Sequence, residues 1–411
     1  MNPHKSDNRT VALIDWNWMG HHPTYFTHFA AAMAEAGADV VPFCADPEDL
    51  LKRLGNESLP AAVRGRIAKP VRVASPVPSQ FRPTRWRGHY NALRFFGGLG
   101  KQSRAWERRH GRKIDLVFFA CIYDRQFENL PFAERCFGYP WSGLYLHARS
   151  FRMPSSPIPG WWGLPCPEKI FTGQKLRSVA VLDEGAVEPL RELAGGKPVF
   201  VFPDITDAGT ESAGPSLGAK IKAFADGRPV VSLSGYLQKT KGIVEFVAAA
   251  GAPSMDGVVF VLAGSISWHG FSAAEREELQ RAIESTPNIF THLMELPEPA
   301  MNSIMESSDV IFAAYRDFPN SSNALTKAAV FERPILVSEG HLMGERVQKF
   351  GLGEVVPEGD VGRIVATLER MLTAGYPDSL RQRAKWAEYR EAHSVDRLAE
   401  VIRNLIAASA G

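Results

Sequence analysis

Short apolar runs alternate with stretches of helical period along most of the chain. The first run, Val11–Ile14, is apolar at every position, the pattern of a parallel strand buried on both faces. A glycine-containing loop from Trp16 to His22 follows. A helical stretch then begins at Pro23 and is closed by Gly37, each residue at the helix end that favours it. Val40–Phe43, Leu116–Cys121, Gly143–Leu146, Val179–Leu182 and Val199–Phe202 predict five more strands, with helical patterns between most of them. From Pro203 to Gly227 the pattern weakens, and Asp204, Asp207, Gly209, Gly214 and Pro215 mark a connection with some helix near 220–224.

A second alternating set starts at Pro229. It predicts strands at Val230–Leu233, Val258–Ala263, Ile289–His292, Val310–Ala314 and Pro334–Val337. Helices are predicted over 242–250, 272–285, 298–306, 321–331, 342–350, 361–372, 378–390 and 394–408. The last carries an apolar stripe (Leu398, Val401, Ile402, Leu405, Ile406) that needs a partner, so it is expected to pack back on the first domain. The result is an α/β chain of two Rossmann-like domains with parallel sheets. The expected boundaries are 1–202, a linker at 203–227, a second domain at 228–375, and returning helices at 376–411.

Composition narrows the class of protein. A chain of 411 residues holds two or three domains at about 100–200 residues each. With 45% hydrophobic and 22% charged residues it is neither disordered nor fibrous. Forty-seven basic against 45 acidic side chains leave a net charge of +2, so no global field favours nucleic acid. The four cysteines (Cys44, Cys121, Cys136, Cys166) lack C-x-x-C spacing, which argues against a disulfide framework or a zinc site. Neither an apolar signal segment nor an 18-residue apolar run stands in the sequence, so a cytoplasmic protein is expected.

Four segments in order carry a family resemblance. Ser234-Gly235-Tyr236-Leu237-Gln238-Lys239-Thr240-Lys241-Gly242 follows a strand and opens a helix. Val258–Gly264 is the next strand and its glycine, and 309–337 holds a strand, the loop Phe318–Asn323, a helix and a further strand. Gly351–Asp360 reads G-L-G-E-V-V-P-E-G-D. Together they resemble family-four retaining glycosyltransferases, which have the GT-B fold, two Rossmann-like domains whose sheets face across a cleft. The likeness covers roughly 228–375 and extends more weakly to the loop Gly20–Tyr25. It implies an enzyme that moves a sugar from a nucleoside-diphosphate sugar to a glycan, lipid-linked or small-molecule acceptor in polysaccharide or glycoconjugate biosynthesis. It implies no resident cofactor and no metal.

That chemistry needs positive charge where the nucleoside diphosphate departs. The resemblance places Lys241 there, with Gly235 and Tyr236 beside the donor. Ser321, Ser322 and Asn323 are N-cap residue types before an apolar helix, whose N-terminus suits an anion. Gly20 allows close backbone approach in the first strand-to-helix loop. His21, His22 and Arg149 are candidate acceptor-side residues, and His147, after the Gly143–Leu146 run, matches a family histidine near the transferred sugar. No D-x-D pair follows a strand. Two positions differ from the family. Its arginine is replaced by Tyr236, and the two glutamates of its E-x7-E motif fall on Pro319 and Lys327. Lys327, one turn from Ser321–Asn323, is expected to reach a phosphate or ribose oxygen and to offset the missing arginine.

Between Arg82 and Lys113 stand ten basic residues and one acidic one, with Trp86, Tyr90, Phe95, Phe96 and Trp106 interleaved. A basic amphipathic helix of this kind suits the anionic inner face of a membrane, whereas a core-facing helix with solvated cations is the alternative. Trp161 and Trp162 in a proline-rich loop are candidates for an acceptor surface. Two other functions remain open, a GT-B-like sugar-nucleotide epimerase, which would need carboxylate acid/base pairs, and a non-catalytic sugar or nucleotide binder. No G-x-G-x-x-G follows either opening strand, which argues against a dinucleotide oxidoreductase.

Overall fold

The computed structural model describes residues 9–20, 22–57, 59–73, 85–122, 127, 129–146, 148–152, 167–209 and 216–409. The chain divides into two compact units, one made of Met1–Pro203 with His393–Gly411, the other of Asp204–Ala392.

The first unit holds a seven-stranded sheet: β1 (Thr10–Asp15), β2 (Asp39–Cys44), β3 (Val71–Arg72), β4 (Leu116–Ile122), β5 (Trp141–Tyr145), β6 (Leu176–Val181) and β7 (Val199–Val201). Their order is β3-β2-β1-β4-β5-β6-β7, and every pairing is parallel. β1 and β4 are buried at every position, which is why Val11–Ile14 and the whole of β4 are unbroken apolar runs. The two-residue β3 has no such run and escapes the sequence pattern.

Of the segment read as returning, 376–411, His393–Gly411 groups with the first unit and 376–392 with the second. Val395–Ala408 buries Leu398, Val401, Ile402, Leu405 and Ile406 and packs on the helix His22–Glu35. The Arg9 guanidinium donates to the Ile406 carbonyl oxygen at 3.1 Å, tying the two ends of the chain together.

The helix Arg85–His110 turns the aromatic positions of the basic segment into core. Phe96, Leu99 and Trp106 are buried, and Trp106 stacks on His110 with ring centroids 4.5 Å apart. Only Tyr90 among the described aromatics of this segment is largely exposed, and Arg94, Lys101, Arg108 and Arg109 line the outer surface. The core-facing reading of this segment therefore holds for Phe96 and Trp106. No helix among the described residues is long and apolar enough to cross a membrane.

The second unit holds a six-stranded parallel sheet: β8 (Val230–Ser234), β9 (Val259–Ala263), β10 (Ile289–His292), β11 (Val310–Ala313), β12 (Ile335–Ser338) and β13 (Gly353–Val356). The order is β10-β9-β8-β11-β12-β13. The segment read from sequence as a linker joins this unit. Its helix Leu217–Ala225 buries Leu217, Ile221 and Ala225 against Ala300 and Ile304. The stretch read as one helix over 378–390 is two, Tyr376–Arg383 and Trp386–Ala392. Ala384 between them is extended, and the Lys385 N–H donates to the Phe350 carbonyl oxygen at 2.8 Å instead of to a helix partner.

At the outer strand β13, Glu354 accepts from Arg383 at 2.5 Å, Arg370 at 2.9 Å and the Tyr376 hydroxyl at 3.0 Å. Burial alone would raise the Glu354 carboxyl, but the bonds from Arg383, Tyr376 and Arg370 outweigh it and hold the group below its ordinary 4.5. A depressed carboxyl stabilises the fold above its unfolded value and loses that contribution as pH falls through the folded value. Glu354→Gln is therefore expected to melt below wild type near neutral pH. The gap should close below about pH 4. Melting curves from pH 3 to 7 test this, and a constant gap would contradict it.

Candidate functional site

In the second unit the strand order reverses between β8 and β11, and loops leaving the carboxyl ends of those strands meet. Past β8 the chain makes a short turn at Lys239–Lys241. Gly242 then takes φ +70°, and a Cβ there would lie 2.4 Å from the Ala314 carbonyl oxygen, so the two loops touch where only glycine fits. The Arg316 N–H adds a second tie, donating to the Thr240 carbonyl oxygen at 2.9 Å.

These contacts bring Lys241 onto the β11 loop. Its ammonium lies 4.0 Å from the ring centre of Tyr315 and 4.4 Å from that of Phe318. It also donates to the Ser322 hydroxyl at 3.3 Å. Among the described residues no carboxylate lies within ion-pair distance of Lys241. Glu245 is instead taken by Arg316 at 3.0 Å, and Glu275 by Lys239 at 2.6 Å.

The helix Asn323–Val330 begins at the same place. Its N-cap Ser322 makes no side-chain cap bond, its hydroxyl being turned to Lys241. The positive end of a helix and a cation without a carboxylate partner thus stand together, an arrangement that attracts an anion.

Ser321 and Asn323 turn the other way. The Ser321 hydroxyl bonds Asp204 and accepts from Arg346 at 3.0 Å. Arg346 lies 3.9 Å from Asp204, both side chains 3% exposed. The Asn323 amide donates to the Ile205 carbonyl oxygen at 3.2 Å and accepts from the Thr206 hydroxyl at 2.7 Å. Tyr389 packs into the same interior, where burial pushes its hydroxyl up to about 12, against the pull of Arg346 and with the push of Asp204. Of the three cap-type residues, only Ser322 therefore presents its side chain beside Lys241. The other two fasten segment 204–206 under the helix.

Lys327 corrects the sequence expectation more sharply. It has no exposed surface. Its ammonium donates to Asn302 Oδ1 at 2.5 Å and to the Asp207 carbonyl oxygen at 3.2 Å, and pairs with Glu298 at 2.7 Å. Two hydrogen bonds and one ion pair hold the ammonium in the interior, so it does not point to solvent. Its place in the apolar stripe beside Leu325, Ala328 and Ala329 carries it inward. Tyr236 is 60% exposed at the surface. Gly235 beside it takes φ +110°, and a Cβ on Gly264 would come within 1.8 Å of the Gly235 carbonyl oxygen, so the β8 and β9 loops pack backbone to backbone.

In the first unit the reversal falls between β1 and β4. β1 ends on Asp15, whose carboxylate takes the Asn17 N–H at 2.9 Å and His22 Nδ1 at 2.8 Å. Nδ1 therefore donates, and Nε2, 3.1 Å from the Asn17 amide nitrogen, accepts. Asp15 and His22 are 3% and 6% exposed. This corrects His22 as an acceptor-side group. Both ring nitrogens are spent on organising the loop, which carries Gly20 at φ +59° exposed to solvent. Breaking so buried a pair is expensive. Asp15→Ala is expected to cost about 3 kcal/mol, measured by urea unfolding. A loss under about 1 kcal/mol would reassign the pair as incidental. Arg149 begins a short helix, Arg149–Arg152, soon after β5, while His21, His147, Trp161 and Trp162 lie outside the described residues.

No family model and no curated protein sequence matches the chain. Solved structures match it in shape. HepE of Anabaena, in complex with UDP and glucose, is 12% identical at TM-score 0.66, over 98% of this chain and all of that one. Sucrose-phosphate synthase of Thermosynechococcus elongatus is 16% identical at TM-score 0.67, again over 98% and 100%. The trehalose 6-phosphate synthase of Burkholderia multivorans is 15% identical at 0.64, over 98% of both chains. The fold is GT-B.

Within this GT-B chain, sequence reasoning missed Asp204, Arg346, Tyr315 and Phe318. Arg346 had a legible signal. It stands four residues from Leu342 and four from Phe350, in the buried stripe of the helix His341–Phe350, where an arginine needs an internal partner. Asp204 had none, since nothing in a loop sequence marks a distant partner. Tyr315 carries no signal of its own, and Phe318 enters only as the first residue of the loop Phe318–Asn323.

Proposed function

We propose that this chain is a retaining, metal-independent glycosyltransferase that uses a nucleoside-diphosphate sugar. Lys241 is the observation that carries the reading. Its charge is left without a carboxylate at the strand-order reversal of the second sheet, next to the start of the helix Asn323–Val330. Charge builds on the diphosphate as the sugar leaves, and Lys241, the Ser322 hydroxyl and the helix N-terminus supply the opposing field. UDP stands first among the nucleotides, since HepE carries it. Arg149 and His147 are the proposed acceptor-side and sugar-side groups. A lipid-linked acceptor would be approached through the outer cations Arg94, Lys101, Arg108 and Arg109.

A melting screen with UDP, GDP and ADP, followed by turnover of the matching sugar nucleotides in chelator, tests this function. Stabilisation by one nucleotide, release of that nucleotide with acceptor, and a product of unchanged anomeric configuration by NMR are expected. Binding without any turnover over a broad acceptor set would shift the assignment to a non-catalytic nucleotide binder. Activity abolished by chelator and restored by a divalent ion would overturn the metal-independent part.

A further inference from the structure

We infer that Tyr315 and Phe318 are positioning residues that hold the Lys241 ammonium for an incoming phosphate without neutralising it; this rests on the role proposed for Lys241. The two rings stand at 85° with centroids 5.1 Å apart, forming a corner. The ammonium sits against both faces, at 4.0 Å and 4.4 Å. A ring face attracts a cation through its quadrupole and carries no net charge. The corner therefore limits the swing of a four-carbon side chain while leaving its full positive charge to act on a ligand. A carboxylate in the same place would hold the lysine as firmly, but a phosphate would first have to displace it.

The corner itself is fixed from several sides. Tyr315 is buried, its N–H donates to the Ala313 carbonyl oxygen at 2.8 Å, and its carbonyl oxygen accepts from the Ser338 hydroxyl at 2.5 Å. Arg316 is tied to Thr240, one residue from Lys241, and the Asp317 N–H donates to Glu358 at 3.0 Å. Asp317 adopts φ +46°, a conformation uncommon for a residue with a side chain, and the turn it makes leads into Phe318. The one carboxylate on the neighbouring helix turn, Glu245, is engaged by Arg316, so the loop that supplies the rings also keeps negative charge off Lys241.

The test reads Lys241 directly. In protein whose lysines carry 13C-methyl groups, the signal lost in Lys241→Arg is expected upfield of the other lysines, through the ring currents of Tyr315 and Phe318. It should move part of the way back to the ordinary position in Phe318→Leu, where the Tyr315 ring remains, and stay fully upfield in Phe318→Tyr. Affinity for UDP should fall about tenfold in Phe318→Leu, the scale of losing one desolvated ring contact, and recover within about threefold in Phe318→Tyr. Phe318 is only partly buried, so these variants are expected to fold, and Tyr315→Phe supplies a second conservative check. An unshifted Lys241 signal in wild type would overturn the inference. So would unchanged UDP affinity in Phe318→Leu while Lys241→Ala loses it. If Lys241→Ala binds UDP as wild type does, the proposed function of Lys241 fails instead, and the NMR signal still decides whether the corner exists.

Discussion

Lys241→Ala is expected to lower transfer by about two to three orders of magnitude, the effect of removing one preorganised donor from developing charge. The expectation rests on what surrounds the ammonium. A surface lysine in an exposed ion pair contributes little and can be cut away at little cost. Lys239 is of that kind, pairing with Glu275 at 2.6 Å with both side chains well exposed. Lys241, two residues on, has no carboxylate partner among the described residues and sits on two rings and a hydroxyl. Removing it leaves no buried carboxylate unpaired, so the melting temperature should barely move while turnover collapses. Lys239→Ala is the internal control and should keep turnover within about twofold of wild type. Lys241→Arg should recover only part of the loss, since a planar guanidinium does not replace a compact ammonium in a corner of two perpendicular rings. Turnover in Lys241→Ala above about a third of wild type would remove this residue from the mechanism.

How far the sequence reaches depends on the distance over which each feature is encoded. β1, β4, β8 and β9 are legible because a strand covered on both faces is apolar at most of its positions, a local property. Lys241 is legible as a candidate because it stands where a strand gives way to a helix. The direction a side chain takes at a helix N-terminus is not local. Ser321, Ser322 and Asn323 are equivalent as cap types, yet Ser321 and Asn323 turn to Asp204, Ile205 and Thr206, over 100 positions earlier in the chain. His22 looks like a ligand-binding histidine until Asp15 and Asn17 are seen on its two nitrogens. For Ser321 and Asn323 the deciding partners come from a segment that carries no periodic signal, and for His22 from a polar strand end whose side-chain direction the apolar pattern does not set.

Lys327→Glu is expected to destabilise the second unit by about 3–5 kcal/mol, although it restores the residue type that the resembled family has there. The lysine is fully buried and its ammonium pairs with Glu298. A glutamate in its place would bury a carboxylate beside Glu298 and leave Asn302 Oδ1 and the Asp207 carbonyl oxygen facing an acceptor instead of a donor. Segment 207–209 would loosen as well, because Asn302 also donates to the carbonyl oxygens of Asp207 and Gly209 at 3.1 and 2.8 Å. Lys327→Met removes the charge but keeps much of the volume, and Glu298, 37% exposed, can turn to water. That variant should lose about 1–3 kcal/mol. The order wild type, Met, Glu in chemical unfolding is the result that matters. It separates an interior latch from a ligand contact, since a residue serving only the nucleotide would leave the unliganded protein equally stable in all three. A Lys327→Glu protein as stable as wild type and tighter for UDP would return Lys327 to the ligand site, where the family's glutamate stands.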